Sequence, residues 1–526
     1  MSADQVQIVS STLVVGLEVH VELSTRTKMF SRCPSPAGAG HAEAAPNSWI
    51  DPVTLGLPGA LPVINREAVE MSMMVGIALG CRIATETRWD RKGYFYPDLP
   101  KGYQISQYDL PVCFDGSVDL PGIDERSFFV LDGSSAEVSS PVRVGILRAH
   151  LEEDAGKLLH EAPGGREIDG SIVDYNRAGT PLLEIVTQPD FRSADQVVAF
   201  ARLLRDTCRF LGVTQGVMQR GHMRFEPNIN CHLTLSDGRL VKTPIVEIKN
   251  LNSFRSLKAA IEYEGREQPR RWGEDGREMG PGMKSTRGWD DDRGVSIMQR
   301  GKEDAHDYRY FPDPDLAPVV ISHGWIERAR ARVPEIPLER LRRYVVGHGL
   351  GIKEATSLVE ERETCLMYES CVALIAQRLG DQARAGRLAA NAILQSGLKR
   401  ANERGVPVHS LGITPGQVAG LAVMREEGRI NAAAADELFG VLCESPGADP
   451  ESLARERGLL IVRDDAAIER WIDQVLASNA SIVDQVRAGK TQAVGRLVGE
   501  TMKRAAGSAD ARTIREAILR RIGIKE

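Results

Sequence analysis

The 526-residue chain has 42% hydrophobic and 26% charged residues and a formal net charge of −6, a profile that excludes disordered and collagen-like classes. Roughly two to four domains are expected at this length, each with a sizeable core. No segment approaches the roughly 18 apolar residues of a membrane span, and the start M-S-A-D-Q-V-Q-I-V-S-S has neither a basic nor a long apolar region, so a cytoplasmic location without a membrane partner is expected.

The first element in chain order is the most informative. Residues 16–23 read G-L-E-V-H-V-E-L, and a strand there sends Glu18, His20 and Glu22 to one face and Leu17, Val19, Val21 and Leu23 to the other. Two carboxylates around an imidazole can converge on a divalent cation, although the same alternation also describes a solvated sheet face. A helix is expected over Arg66 to Leu79. The tract from Asp90 to Gln104 mixes basic and aromatic residues, suited to stacking on a nucleobase or to a rigid proline-fixed loop.

A strand from Val142 to Leu147 leads to L-E-E-D-A-G-K at 151–157, where three adjacent acids repel one another unless a cation or basic groups neutralise them. Further short strands are expected at Ser171 to Tyr175, Met223 to Leu235 and Pro244 to Ile248, with a helix at Ala194 to Leu211 capped by Ser193. The segment R-F-E-P-N-I-N places Arg224, Glu226, Asn228 and Asn230 on one strand face, a set suited to a hard cation and a phosphate. Glu247 and Lys249 repeat that theme. The polar stretch from Gly265 to Asp304 reads as a mobile loop or hairpin. Four acid-bearing segments in one body favour an ATP and Mg²⁺ carboxylate-activating site. With neither G-x-x-x-x-G-K-[ST] nor a strand-linked G-x-G-x-x-G in the chain, a nucleotide would be held through metal, arginine and backbone contacts.

Beyond residue 310 the pattern turns helical, as in Pro337 to Gly347, Leu358 to Leu379 and Arg387 to Arg404. Three parts result: an α+β, largely antiparallel body (1–310), a helical connector (311–409) and a small helical tail (410–526). From Arg487 onward ten Lys or Arg face four Asp or Glu, a +6 balance that could follow a phosphate backbone or mark a solvated helix face. The eight cysteines form no C-x-x-C pair and are expected to be reduced, mostly buried thiols.

Several segments together resemble the B-subunit family of the glutamyl/aspartyl-tRNA amidotransferases: G-L-E-V-H-V-E-L (16–23), Y-F-Y-P-D-L-P-K-G-Y-Q-I-S-Q (94–107), H-L-E-E-D-A-G-K (150–157), D-Y-N-R-A-G-T-P-L-L-E-I-V (174–186), K-N-L-N-S-F (249–254) and D-Y-R-Y-F-P-D-P-D-L (307–316). The resemblance covers nearly the whole chain, and G-R-L-V-G-E-T-M-K (495–503) resembles that family's tRNA-binding tail. It implies a cradle related in fold to glutamine synthetase. It also implies use of ATP and Mg²⁺ to phosphorylate the side-chain carboxylate of glutamate or aspartate misattached to tRNA-Gln or tRNA-Asn. Ammonia would come from a separate protein, the amidase or A subunit, while the small C subunit holds the pair together.

By the same resemblance Glu18, His20, Glu152 and Glu153 fall at the catalytic positions. Glu18, His20, Glu153 and Glu226 are the candidate metal ligands. Arg177 and Lys249 are further catalytic candidates, and Arg224 and Asn228 candidates for holding the nucleotide. Ion pairing of these cations with Glu184, Glu247 or neighbouring acids is the competing structural reading.

Two departures stand out. The family's zinc knuckle is reduced to Cys33 between Phe30 and Leu57, so no zinc is expected there, and R-F-E-P-N-I-N replaces the usual R-C-D-x-N-[IV]-S. No amidase or glutaminase signature is present, so a partner must supply ammonia. A tRNA-independent carboxylate–amine ligase and a non-catalytic tRNA-binding protein remain the alternatives; the basic tail argues against the first, and the four clustered acid and histidine positions argue against the second.

Overall fold

The computed structural model describes residues 6–38, 44–124, 126–131, 140–162, 165–301, 308–461, 465–487, 491–505 and 511–523. Residues 302–304 of the expected loop, Asp307 of the last body motif, part of the Cys33 stretch, and Lys490, Asp510, Lys525 and Glu526 of the tail lie outside these, as does the side chain of Arg512. The chain divides into two compact units, Met1–Arg340 and Leu341–Glu526.

In the first unit, alternating apolar residues build a ten-stranded sheet. In chain order its strands are β1 (Ile8–Glu22), β2 (Arg82–Ile83), β3 (Cys113–Leu120), β4 (Val142–Glu153), β5 (Pro181–Thr187), β6 (Met223–Leu235), β7 (Leu240–Lys242), β8 (Val246–Lys249), β9 (Ser285–Asp290) and β10 (Val295–Gly301). Their order across the sheet is β10-β9-β8-β6-β1-β5-β4-β3-β2, with β7 paired to β6. Pairing is antiparallel except between β8 and β9, as the largely antiparallel expectation requires. β1 is therefore central, flanked by β5 and β6, and its side chains on one face are surrounded by those of both neighbours.

The other face packs against helices. Leu17, Val19, Val21 and Leu23 of β1 and its continuation join one core with α1 (Arg66–Ala78), α2 (Ala194–Phe210) and α3 (Phe254–Asp275), through residues such as Met73, Phe200, Leu257 and Ile261. Removing these side chains from water is the main favourable term in holding the helices under the sheet. Asn65 and Ser193 cap α1 and α2, each accepting backbone N–H bonds of the first turn.

The stretch from Gly265 differs from the expected loop: α3 continues to Asp275, and β9 and β10 form a hairpin. Pro269 lies inside α3, where it cannot donate to the Gly265 carbonyl. That carbonyl instead accepts from the Cys231 thiol at 3.8 Å. Fully buried Glu264 on the same helix is compensated by Arg271 and by Ser296 of β10, whose hydroxyl donates to it at 2.5 Å.

Past residue 310 the chain stays with the first unit as far as Arg340. Phe311–Pro312 pairs with Asp90–Arg91, which in turn pairs with the strand Tyr103–Ser106. The second unit is helical, with Arg362–Leu379, Gln382–Asn391 and Pro415–Glu426 among its elements and an apolar cluster, including Val475, Leu497 and Ile518, in its C-terminal part. All eight cysteines are unpaired and seven are buried. Among the described residues no helix is long and apolar enough to cross a membrane.

Candidate functional site

The face of β1 opposite the core floors a cavity of about 700 Å³. Register, more than sequence proximity, assembles it. His20 is paired with Glu184 of β5 and Arg224 of β6, and Glu184 in turn with His150 of β4. Glu18 is paired with Glu226, and Asn228 with Glu247. Directly opposed side chains on one sheet face lie about 5 Å apart, so five carboxylates from five strands are forced together.

Two groups emerge in which every member offers a ligand atom within 4.8 Å of the others: His20, Glu152 and Glu184, and beside it Glu18, Glu226 and Glu247. In the first, His20 Nε2 lies 3.5 Å from Glu184 and 3.8 Å from Glu152, while His150 Nε2 approaches Glu184 to 3.4 Å. In the second, Lys249 Nζ pairs with Glu226 at 3.0 Å, Asn228 donates to Glu18 at 3.0 Å, and Thr286 donates to Glu247 at 2.7 Å. One imidazole and five carboxylates form a donor set for hard divalent cations. Among the described residues the buried Nδ1 of His20 has no hydrogen-bond partner, and Glu226 stands 4.0 Å from it. The residues present thus fit Mg²⁺, which would be held by His20, Glu152 and Glu184 and by the neighbouring acids.

The electrostatics are those of concentrated negative charge. Burial disfavours a charged His20, but its bond to Glu184 and the charges of Glu226, Glu184 and Glu152 outweigh that and hold it up at about 9. Burial would likewise raise Glu184 and Glu226. The His150 and His20 contacts for the first, and the His20 and Lys249 charges for the second, hold both below the usual carboxylate range.

At the end of the acid run, Asp154 is paired with Arg224 at 3.1 Å and Arg177 at 3.5 Å. These cations overcome burial and keep Asp154 ionised. Glu22, next along the polar face of β1, is buried beside it. Burial and the Asp154 charge push Glu22 up to about 8, against the pull of Arg224 and Arg177. A carboxyl that keeps its proton in the fold up to about 8 loses stability as pH rises from its unfolded value near 4.5 through 8. Glu22→Gln, which keeps a donor toward Asp154 without the titration, is therefore expected to gain roughly 2 kcal/mol on the wild type between pH 6 and pH 8. Thermal melts across that range check it; parallel curves would show that Glu22 does not titrate there.

Of the residues singled out from sequence, Glu18, His20, Glu152, Glu226, Arg177, Lys249 and Arg224 all line the cavity, and Asn228 supports Glu18. Glu153 does not join them. Alternation along β4 turns His150 and Glu152 to the cavity and Leu151 and Glu153 away. Glu153 is buried in an ion pair with Lys101 and accepts from the Ile105 N–H at 3.0 Å. The three adjacent acids are thus handled separately: Glu153 pairs with Lys101 away from the cavity, Asp154 lines it paired with two arginines, and Glu152 lines it accepting from Ser106 at 3.2 Å.

The cations are ion-paired with acids, as the competing reading has it. Arg177 pairs with Asp154 and also donates to the Ala155 and Gly156 carbonyls at 3.0 and 2.7 Å. Lys249 pairs with Glu226. Glu247, read from sequence as repeating the acid theme beside Lys249, joins the floor; sequence reasoning missed Glu184, and missed Tyr308 and Tyr310, which line the rim.

Comparison with known proteins agrees with this layout. Residues 13–327 match the GatB/GatE catalytic domain and residues 376–522 the GatB domain. Proteins named as the B subunit of aspartyl/glutamyl-tRNA(Asn/Gln) amidotransferase are similar over nearly full length. That of Thermomicrobium roseum is 44% identical over 94% of this chain and 95% of its own. That of Geotalea uraniireducens is 41% identical over 97% and 99%, and that of Rhodopirellula baltica 40% identical over 94% and 93%. With its acid-and-histidine floor lying inside the matched catalytic domain, the chain belongs to the GatB family.

Proposed function

We propose that this protein is the B subunit of a tRNA-dependent amidotransferase and that its cavity activates the side-chain carboxylate of glutamate or aspartate misattached to tRNA-Gln or tRNA-Asn. The observation that carries the reading is the polar face of β1, where His20, Glu152 and Glu184 meet beside Glu18, Glu226 and Glu247. A carboxylate is a poor electrophile. In this reading one of its oxygens attacks the γ-phosphorus of ATP, ADP leaves, and the resulting acyl phosphate is open to ammonia. Ammonia adds at the acyl carbon, the C–O bond breaks, a proton is lost from nitrogen, and phosphate departs with the former carboxylate oxygen.

Bound Mg²⁺ would neutralise charge on the phosphate oxygens during this transfer. The chain's own residues do the rest. Glu152, Glu184 and His20 hold the cation site in shape, and Lys249 and Arg224, each anchored to a carboxylate, stand as fixed positive charges over the floor. Burial is outweighed for both by neighbouring acids, so they stay protonated. Ammonia is assigned to the partner amidase, and the small third protein of the assembly holds the two together.

The reading is tested by measuring ATP hydrolysis by the chain assembled with its amidase and small-protein partners. Turnover is expected only when Mg²⁺ and a misacylated tRNA are both present. Equal turnover with correctly charged tRNA or with free glutamate would favour a tRNA-independent ligase instead.

A further inference from the structure

Lys249, Arg224 and Arg300 line the cavity from β6, β8 and β10, and Tyr94, Tyr96, Tyr108, Tyr308 and Tyr310 line it next to β4, where Lys92 lies over the Tyr94 and Tyr308 rings at 5.5 and 4.7 Å. The tyrosines form a continuous wall. Ring centroids run 5.8 Å from Tyr96 to Tyr94, 5.8 Å on to Tyr308, 6.2 Å on to Tyr310, and 4.4 Å from Tyr310 to Tyr108, the last pair stacked at 14°.

The wall is held firmly. The strand Phe311–Pro312 pairs with Asp90–Arg91, and Arg91 bonds buried Asp313 at 2.7 Å. Arg309, between two of the rings, takes a φ of 49°, a conformation non-glycine residues rarely adopt, and both its neighbours line the cavity. Tyr108, which lines the cavity, nevertheless leaves 43% of its surface exposed.

We infer that the Tyr108–Tyr310 pair is the stacking platform for the 3′-terminal adenine of the aminoacylated tRNA. The inference rests on the reading above that the site takes an aminoacyl ester. Phenol rings offer a nucleobase a π-face. Burial, then the charges of Glu152 and Glu184, push the Tyr310 phenol up and hold its ring neutral. An aminoacyl group is joined directly to the ribose of the terminal adenosine. A base on this wall therefore sets the acidic side chain one ribose and one aminoacyl chain from the stack, toward Glu152.

The test uses the complete assembled enzyme and a tRNA whose terminal adenine is replaced by a fluorescent analogue that stacking quenches. Quenching on binding is expected with the wild type and with Tyr108→Phe, and its loss with Tyr108→Leu. In steady state Tyr108→Leu should raise KM for misacylated tRNA about tenfold and leave KM for ATP unchanged. Undiminished quenching in Tyr108→Leu, or a rise in KM for ATP alone, would overturn the platform while wild-type turnover leaves the functional reading standing. A wild type without tRNA-dependent turnover would overturn that reading and this inference with it.

Discussion

Glu152→Gln is expected to lower tRNA-dependent ATP turnover by about a thousandfold while leaving fold and tRNA affinity intact. Glutamine has the same shape and can still accept from Ser106. What it lacks is the charge that faces His20 at 3.8 Å and completes the group with Glu184. His20→Ala should have a comparable effect, since it removes the imidazole that groups with Glu152 and Glu184. The two losses should not multiply in the double variant, because residues acting as a unit are strongly non-additive. The checks are kcat with saturating misacylated tRNA, a tRNA binding titration, and a melting curve. A fall in Tm with kcat per folded molecule preserved would make both residues structural.

Glu153→Gln is expected to do the reverse, costing about 3 kcal/mol of stability and little of kcat. Glu153 and Lys101 are 5% and 9% exposed, so removing one charge leaves its partner buried and uncompensated. Lys101 also lies over the rings of Phe30 and Tyr103, which keeps it in place after its partner is gone. Replacing both members, as in Lys101→Met with Glu153→Leu, should recover most of the loss, because a well-packed apolar pair substitutes for a buried ion pair at little net cost. Urea unfolding measures the stability and single-site turnover the activity. A large fall in kcat for Glu153→Gln at full stability would return Glu153 to the catalytic group.

The contrast between Glu152 and Glu153 shows what could be read from residues alone. Period-two alternation in G-L-E-V-H-V-E-L identified the faces of β1 correctly: Leu17, Val19, Val21 and Leu23 are buried, and Glu18 and His20 line the cavity. Met223–Leu235 was legible to its ends for the same reason. Applied to H-L-E-E-D, the same rule separates Glu152 from Glu153, whereas family resemblance placed both at the reacting centre.

Glu184 was not legible as a site residue, since it is a single acid in an apolar strand. Its meaning depends on pairing with His150 and His20, about 30 and 160 residues away, and register over such separations follows from the assembled sheet. The helical course of α3 beyond Gly265 was hidden similarly. Its polar residues and Pro269 argue for a loop, and only the tertiary partners of Glu264 and of the Gly265 carbonyl make the helix tenable. The chemistry of the aromatic tract was visible, but Tyr308 and Tyr310 are brought beside Tyr94 and Tyr108 by pairing of Phe311–Pro312 with Asp90–Arg91.

The most direct measurement of the central claim follows the carboxylate oxygen itself. Misacylated tRNA carrying glutamate labelled with heavy oxygen in its side-chain carboxyl is given to the assembled enzyme with ATP, Mg²⁺ and an ammonia source, and the released inorganic phosphate is analysed by mass. Activation by phosphorylation predicts one labelled oxygen in each phosphate formed per amide, and none when Glu152→Gln replaces the wild type. Amide formation with unlabelled phosphate would contradict the account, because the carboxylate oxygen would then have left without ever being bonded to phosphorus.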